Sequence, residues 1–213
     1  MDRWAERFAV RKLRKHQGVL GLAMPRVLEG IMTTVCEDGG VNISPMGPVV
    51  EADMQRMMLR PYQMSTTFAN LKRTRRGVFH VTDDCLLLAR AATGQLVTQP
   101  PLQSLAEDRG FALLGACRWY AVEVESVDET QARAEISCRV VAAKRQRDFF
   151  GFNRAKHAVL EAAILATRTA ILPAKQIRNE MDRLASPVEK TGGPEEKKAF
   201  GLLSEYISDR LAS

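Results

Sequence analysis

Two neighbouring stretches of alternating apolar and polar residues constrain the fold of this chain more than any other feature. In the first stretch, Val122 and Val124 alternate with glutamates, and a polar turn over residues 128–131 follows. A period of two places successive side chains on opposite faces of a strand. The sequence therefore predicts two long antiparallel strands, each with one face exposed to water. The apolar positions of the second stretch are Ala134, Ile136, Cys138 and Val140.

Shorter strand and helix patterns precede this pair. Runs rich in β-branched residues at 30–35 and 41–44 flank a turn-forming Glu37-Asp38-Gly39-Gly40 segment, which predicts a hairpin. Strands separated by short helices favour a small antiparallel barrel over a doubly wound sheet. The remaining predicted elements are strands over residues 55–59 and 77–82, short helices after Ser65 and over 84–92, and a connecting loop over 95–110.

The last third of the chain changes to a helical period. Apolar residues recur at helical spacing over residues 155–166, 177–184 and 199–207, which predicts three helices. Proline and glycine interrupt helices and therefore mark their ends. The predicted breaks lie at Pro173, Pro187 and Gly192-Gly193-Pro194.

Charge and periodicity together divide the chain into three parts. Of the net charge of +6, residues 1–26 supply +5, from seven basic and two acidic residues. We predict a basic extension over residues 1–26, a barrel domain over 27–147 and a helical region over 148–213 packed on the barrel. The extension could attract polyanions or could be a frayed leader, with Met24 as an alternative start of translation. The nearly neutral remainder argues against nucleic acid as a partner.

Composition narrows the cellular setting. The four cysteines are scattered, without a C-x-x-C pair, so neither a zinc ribbon nor a disulfide scaffold is predicted. With 46% apolar residues among 213, the chain can bury a core without such crosslinks. No run approaches about 18 apolar residues, so no membrane span is predicted, and we expect a cytoplasmic protein.

The sequence lacks the usual catalytic motifs, including the P-loop, G-x-S-x-G and H-E-x-x-H. It does contain a group of residues suited to bind an anion where a predicted strand leads into a short helix. Free N–H groups at a helix start, hydroxyl groups and a guanidinium can together bind phosphate. The alternative is an ordinary helix cap, which needs a single hydroxyl. The residues are Arg60, Ser65, Thr66, Thr67 and Asn70.

A second candidate segment runs from Asn42 to Pro48. Pro45, Gly47 and Pro48 interrupt regular strand pairing, so the backbone must bulge or turn and could offer N–H groups to a flat polar ring. The segment could equally be the end of a strand. Its candidate binding residues are Asn42, Ser44 and Met46.

Other residues admit both structural and functional interpretations. His80 could reach a cofactor, but a strand histidine bonded to backbone is the better interpretation. Asp83 and Asp84 open a helical run and are interpreted as caps rather than as acid and base. The methionines at 54, 57 and 58 suit a core or a dimer contact, and Trp119-Tyr120 suit the core.

The two candidate segments carry a family resemblance. Asn42-Ile43-Ser44-Pro45 and Thr67-Phe68-Ala69-Asn70-Leu71 resemble the N-x-[AS]-P and T-x-x-N-[IL] segments of the flavin reductase-like, FMN-binding split-barrel superfamily. Together with Leu59-Arg60-Pro61 and Gly77-Val78-Phe79-His80-Val81-Thr82-Asp83-Asp84, they closely resemble the uncharacterised family called domain of unknown function 447. The resemblance covers residues 27–185.

The resemblance implies a six-stranded antiparallel Greek-key split barrel that forms a homodimer and binds FMN near the subunit interface. It implies that Ser65, Thr66, Thr67 and Asn70 lie on the phosphate side, and we add Arg60 on electrostatic grounds. It places the second candidate segment beside the flavin. The superfamily's Lys-Asp pair before the threonine is absent here, where the sequence has Met64-Ser65-Thr66 instead. The residues on the flavin side are Asn42, Ser44 and Met46.

Three functions follow from these interpretations. The first is an FMN-dependent oxidoreductase of unknown substrate, in which the flavin supplies the electron chemistry. The second is an FMN-binding or assembly protein without turnover, and the resemblance allows a link of either to methanopterin-type one-carbon metabolism. The third is a binder of an anionic cofactor or nucleic acid through the basic extension. A flavin spectrum would separate the first two from the third.

Overall fold

The computed structural model describes residues 26–212, which form ten strands, five α-helices and a short 3-10 helix at Ala106–Asp108. The predicted basic extension lies outside the described residues apart from Arg26. The strands are β1 Arg26–Val27, β2 Gly30–Val35, β3 Val41–Met46, β4 Val49–Val50, β5 Arg56–Leu59, β6 Arg76–Val81, β7 Leu102–Ser104, β8 Phe111–Leu113, β9 Arg118–Asp128 and β10 Glu135–Arg145. The helices are α1 Thr66–Thr74, α2 Cys85–Thr93, α3 Arg154–Ala166, α4 Ala174–Thr191 and α5 Pro194–Ala212.

The two alternating stretches form the long central strands of the sheet, as predicted. β9 and β10 pair antiparallel from Glu135↔Asp128 to Arg145↔Arg118, with two shifts of register. Val122 and Ile136 on the inner face are almost completely buried, whereas Glu125 is exposed. The period of two therefore predicted both the strands and their buried faces.

The main sheet has eight strands in the order β1-β4-β5-β10-β9-β6-β2-β3. Only Leu28 and Glu29 separate β1 from β2, and only Gly47 and Pro48 separate β3 from β4. These four strands form one bent hairpin, with β2 and β3 at one end of the strand order and β1 and β4 at the other. The Leu28 N–H donates to the Pro48 carbonyl oxygen (3.0 Å) where the hairpin bends. The sheet is therefore strongly curled.

The predicted six-stranded Greek-key arrangement is not confirmed, because the two short interruptions divide the bent hairpin into four strands and the sheet has eight. The description "mainly β" is also not confirmed. The helices hold more residues than the strands, since α4 and α5 alone span 18 and 19 residues. The class is a mixed α and β fold around a curled antiparallel sheet.

The core has an inner and an outer part. Inside the curl, Met32, Leu59, Phe79 and Ile136 form one buried cluster, to which α1 contributes Phe68 and Leu71. On the outer face, Ile31 and Ile43 pack with the three C-terminal helices and α2. Within residues 26–212, no helix is long and apolar enough to cross a membrane.

Two methionines proposed as either core or dimer contact belong to the core. Met57 and Met58 are 1% and 2% exposed, so they cannot contact a second subunit without a change of structure. The alanine-rich face of α3 is also internal, since Ala155 and Ala162 are fully buried in the outer core. A dimer contact must therefore lie on other residues.

The structure corrects two boundaries. The predicted loop over 95–110 contains β7, which pairs with β8, because Leu102 packs against the outer core. The predicted break at Pro187 is wrong, since Pro187 lies inside α4. The helix continues through it because the buried face carries on to Val188, and Gly192 ends the helix.

Candidate functional site

Three polar residues join the two candidate segments. The Thr67 hydroxyl on α1 accepts a hydrogen bond from Asn42 Nδ2 (3.0 Å) and shares another with Ser44 Oγ (2.7 Å). Asn42 and Ser44 lie on β3 and point to the same face, because they are two residues apart. Thr67 is buried, whereas the two β3 residues are half-buried. The structure thus brings together parts of the chain that are 25 residues apart.

Helix α1 begins where its capping residue predicts. Ser65 is the N-cap with an extended backbone, and its hydroxyl accepts a hydrogen bond from the Phe68 N–H (3.2 Å) while donating to the Tyr62 carbonyl oxygen (2.7 Å). Thr66, in the first turn, is exposed. The interpretation of an N-cap is therefore correct for Ser65, and Thr66 remains accessible to a ligand at this helix start.

Asn70 completes the cluster through Thr34, a residue that sequence reasoning missed. Asn70 Nδ2 donates to Thr34 Oγ1 (3.0 Å) and approaches Cys36 Sγ (3.4 Å), while Asn42 Nδ2 also donates to Thr34 Oγ1 (3.2 Å). Thr34 lies opposite Asn42 in the β2–β3 register. The predicted hairpin could have indicated this pair, since residues opposite each other across a strand pair share a face.

Arg60 directly follows β5. Its Nε atom is buried and has no hydrogen-bond partner within the described residues, and the nearest carboxylate, Glu135 Oε1, is 3.8 Å away. The Nε–H group of Arg60 therefore remains able to donate a hydrogen bond to a ligand.

Met46 lies on the same face of β3 as Asn42 and Ser44. It is half-buried, pairs with Gly30 and packs against the inner core. The three predicted flavin-side residues thus lie in a row along β3, an edge strand of the sheet, with two polar residues followed by an apolar one.

His80 has a structural role. The Leu113 N–H donates to His80 Nε2 (3.0 Å), so Nδ1 carries the proton and donates to the Ile31 carbonyl oxygen (3.1 Å). Burial lowers the pKa of His80 to about 4, against the raising effect of the Ile31 hydrogen bond. The backbone-bonded interpretation is correct, with the ring fully rather than half buried.

The two aspartates at the start of α2 have different roles. Asp84 Oδ1 accepts from the Leu87 N–H (2.8 Å) and caps the helix, as predicted. Asp83 instead accepts from Arg147 Nη2 (2.5 Å) and from the Phe150 N–H (2.7 Å). The side-chain hydrogen bond from Arg147 is the main cause that lowers the pKa of Asp83 to about 2. Asp83 therefore ties the end of β10 to the end of β6.

Comparison with protein families identifies the chain. Residues 28–147 match the N-terminal domain model of the DUF447 proteins of unknown function, and residues 153–205 match a second DUF447 model. The chain therefore belongs to the DUF447 family, as its motifs indicated. Comparison with curated proteins gives no match.

One solved structure shows the same fold, and others are similar over part of the chain. An FMN-bound DUF447 protein from Methanosarcina mazei is similar with a TM-score of 0.75 and 24% identity, over 86% of this chain and 96% of that one. The styrene monooxygenase flavin reductase of Pseudomonas putida has a TM-score of 0.46 and 15% identity, over 57% and 82% of the two chains. An FMN-binding protein from Thermus thermophilus has a TM-score of 0.45 and 20% identity, over 58% and 72%.

Proposed function

We propose that this protein binds FMN along β3 and the start of α1 and acts as a flavin-dependent oxidoreductase. The observation that carries the proposal is the hydrogen-bonded contact of Asn42 and Ser44 with Thr67 (3.0 and 2.7 Å), which joins the two segments. The FMN-bound protein of the same family, with the same fold, supports FMN as the cofactor.

The described residues fit a phosphorylated ligand. A buried guanidinium nitrogen without a partner costs free energy, and an anion that accepts its hydrogen would remove that cost. Among residues 26–212, Arg60 Nε has no hydrogen-bond partner and only the Glu135 carboxylate nearby, at 3.8 Å. We therefore propose that Arg60 binds an anionic oxygen of the cofactor.

The helix start offers a second set of groups. Thr66 is exposed in the first turn, where N–H groups point outward and the helix dipole favours negative charge. We propose Ser65 and Thr66 as phosphate-side ligands. The polar atoms of Thr67 and Asn70 already bond to β3 and β2. We propose that these two residues position the first turn of α1 in addition to lying on the phosphate side.

FMN, when bound, supplies transfer of hydride or single electrons. The chain supplies a surface that binds and orients the ring. Asn42 and Ser44 are fixed by their bonds to Thr67, and the half-buried Met46 excludes water on the apolar side. Residues 27–147 hold every proposed ligand, and the helices over residues 154–212 cover the outer face of the sheet.

We also propose a homodimer with the flavin near its interface. A dimer needs an exposed apolar contact surface, and Met57 and Met58 cannot provide it because they are buried in the core. Phe149, Phe150 and Phe152 are 49%, 72% and 96% exposed within four residues. Exposed aromatic groups this close together are typical of an interface.

An arginine substitution tests the proposed cofactor. Arg60→Gln should weaken FMN binding by about tenfold or more, the effect of losing a charged hydrogen bond, and should weaken riboflavin binding less if Arg60 binds phosphate. Arg56→Gln is the matched control, because Arg56 begins β5, which Arg60 directly follows, and its side chain is 52% exposed. Equal loss of FMN affinity in both variants would contradict the assignment of Arg60.

Bleaching of the bound flavin by NADH or NADPH would separate an oxidoreductase from a binding protein.

A further inference from the structure

A cavity lies at the opposite end of α1 from the proposed phosphate ligands. It has a volume of about 360 Å³ and is bounded by the ends of β2 and α1, the start of β6 and the β7–β8 hairpin. Ligand cavities typically have volumes of about 300–1,000 Å³, and about 150 Å³ already holds one benzene ring. This cavity is therefore large enough for a small molecule with one or two rings.

The cavity is separate from the start of α1. Thr66 begins this helix and Thr74 ends it, so at 1.5 Å per residue the two threonines are about 12 Å apart along the helix axis. Thr74 lines the cavity, whereas Thr66 and Thr67 do not. Of the residues that form the candidate flavin site, only Thr34 also lines this cavity. A ligand in it would therefore leave the start of α1 free.

Hydrogen bonds fix the β7–β8 hairpin as one wall of the cavity. The Thr33 hydroxyl on β2 donates to the Phe111 carbonyl oxygen (2.6 Å). Arg76, at the start of β6, reaches the tip of the hairpin, where its Nη1 atom donates to the carbonyl oxygens of Glu107 and Asp108 (3.2 Å each). Arg76 and Asp108 both line the cavity. The Arg76 side chain is therefore held at the cavity by contacts at both of its ends.

The half-buried guanidinium of Arg76 keeps one edge free. A guanidinium has five N–H bonds, and the two on Nη1 suffice for the two carbonyl contacts. The Nε and Nη2 atoms of Arg76 have no hydrogen-bond or ion-pair partner among residues 26–212. Parallel N–H groups on one edge of a guanidinium match the two oxygens of a carboxylate. The free edge of Arg76 is therefore preorganised to bind a carboxylate.

Positive charge exceeds negative charge at this cavity. Arg73 Nη2 donates to the carbonyl oxygen of the last residue of β2 (2.5 Å), which lines the cavity, and Arg73 forms no ion pair among the described residues. Among the described residues that line the cavity, Asp108 is the only one with a carboxylate. It contacts Arg76 through its backbone carbonyl oxygen and not through its carboxylate. Two arginines against one aspartate favour an anionic ligand.

We propose that this cavity binds a small aromatic carboxylate. The carboxylate accepts two parallel N–H bonds from the free edge of Arg76, and the aromatic ring packs against Phe111 and Val35. Both apolar residues line the cavity and are half-buried, so a ring beside them would remove apolar surface from water. The site is additional to the proposed FMN site and does not depend on it.

The probe is 2-naphthoate, and 2-naphthamide, which has a similar shape without the charge, is its control. Calorimetric titration of the full chain at pH 8 should give saturable binding of 2-naphthoate with one site per chain. Binding of 2-naphthamide should be weaker by about tenfold or more, the effect of losing a charged hydrogen bond. Neither FMN nor inorganic phosphate at equal concentration should displace 2-naphthoate, because the cavity lies away from the start of α1 and suits a ring.

Arg76→Lys keeps the positive charge but removes the free edge of the guanidinium. It should weaken 2-naphthoate binding by about tenfold or more. Arg75→Lys is the matched control, because Arg75 also donates to two backbone carbonyl oxygens (2.9 and 3.0 Å) but does not line the cavity. That variant should bind 2-naphthoate like the parent.

Asp108→Asn provides a second variant that spares the contacts of Arg76. The backbone carbonyl that accepts from Arg76 remains, and asparagine tolerates the left-handed φ of 58° and 52° found at positions 107 and 108. Because the substitution removes a repelling charge, it should strengthen 2-naphthoate binding by about twofold or more.

Far-ultraviolet circular dichroism verifies that each variant is folded, and Asp108→Asn decides the matter if Arg76→Lys is not. The proposal is overturned if 2-naphthoate does not bind saturably, if 2-naphthamide binds equally well, or if FMN or inorganic phosphate displaces 2-naphthoate. It is also overturned if folded Arg76→Lys binds like the parent or if Asp108→Asn does not bind more tightly. Binding of 2-naphthoate by a chain that binds no FMN would refute the proposed function and leave this site in place.

Discussion

At the residue scale, Thr67 and Thr66 are adjacent hydroxyl residues with different environments. Thr67 is buried and bonded to Asn42 and Ser44, whereas Thr66 is exposed at the helix start. A buried hydroxyl that satisfies other polar groups stabilises the fold, and an exposed one contributes little. Substitutions at these two residues should therefore distinguish effects on stability from effects on ligand binding.

Thr67→Ala should lower both the free energy of unfolding and the affinity for FMN. We expect losses of about 1–3 kcal/mol in each, because the partners on β3 lose their hydrogen bond and the helix start loses its position. Urea denaturation and FMN titration measure the two quantities. Thr67→Ser, which keeps the hydroxyl, is the control and should retain most of both.

Thr66→Ala should change FMN affinity without changing stability. The exposed side chain predicts an unfolding free energy within about 0.5 kcal/mol of the parent. If Thr66 is a phosphate ligand, FMN affinity falls while riboflavin affinity stays the same. Equal FMN affinities for Thr66→Ala and the parent would remove Thr66 from the site.

His80 makes stability depend on pH. Its pKa of about 4 in the folded protein lies below the ordinary value of 6.5, so the unfolded chain binds the proton first as the pH falls. The stabilisation is complete above pH 6.5 and is lost progressively between pH 6.5 and 4, by about 3 kcal/mol at about 1.4 kcal/mol per pH unit. Urea denaturation at a series of pH values measures the loss. His80→Gln should remove this part of the pH dependence, and an unchanged profile would contradict the assignment.

At the element scale, β2 positions the candidate site because it pairs with β3 on one side and with β6 on the other. Gly30 begins this strand. A Cβ at that position would collide with the His80 carbonyl oxygen and lie 2.7 Å from the Phe79 ring. The close approach of β2 to β6 therefore requires glycine, which a sequence pattern alone does not reveal.

Gly30→Ala should destabilise the protein by about 2–3 kcal/mol, the effect of overpacking a buried position. Gly201→Ala is the matched substitution, because no neighbouring atom lies within 4 Å of its Cβ position in α5. That variant should be as stable as the parent or up to about 1 kcal/mol more stable, since alanine favours a helix. Equal effects in thermal unfolding would contradict the packing of β2 on β6.

Local patterns predicted most elements but not the way they meet. Alternation gave β9 and β10, and the hydroxyl and carboxyl caps gave the starts of α1 and α2. The role of Thr34 depends on strand register, which a single segment does not encode. Pro187 was wrongly predicted to end a helix because packing of Val188 outweighs the local cost of proline.

At the scale of the whole molecule, the proposed dimer has a specific surface. An obligate interface buries about 2,000 Å² or more and is largely apolar. The double change Phe150→Ser and Phe152→Ser should convert a dimer to a monomer in light scattering across a dilution series. Ile171→Ser, at a side chain that is 64% exposed elsewhere, is the control. An unaltered dimer in the double variant would move the interface to another surface.

Recognition of the FMN phosphate distinguishes the proposed site from one that binds only the flavin ring. Fluorescence titration of the purified, flavin-free protein with FMN and with riboflavin tests it most directly. We predict saturation at one FMN per chain and FMN affinity at least about tenfold above that of riboflavin, because charged hydrogen bonds to phosphate are present only with FMN. No saturable binding of FMN, or equal affinity for the two flavins, would contradict the account.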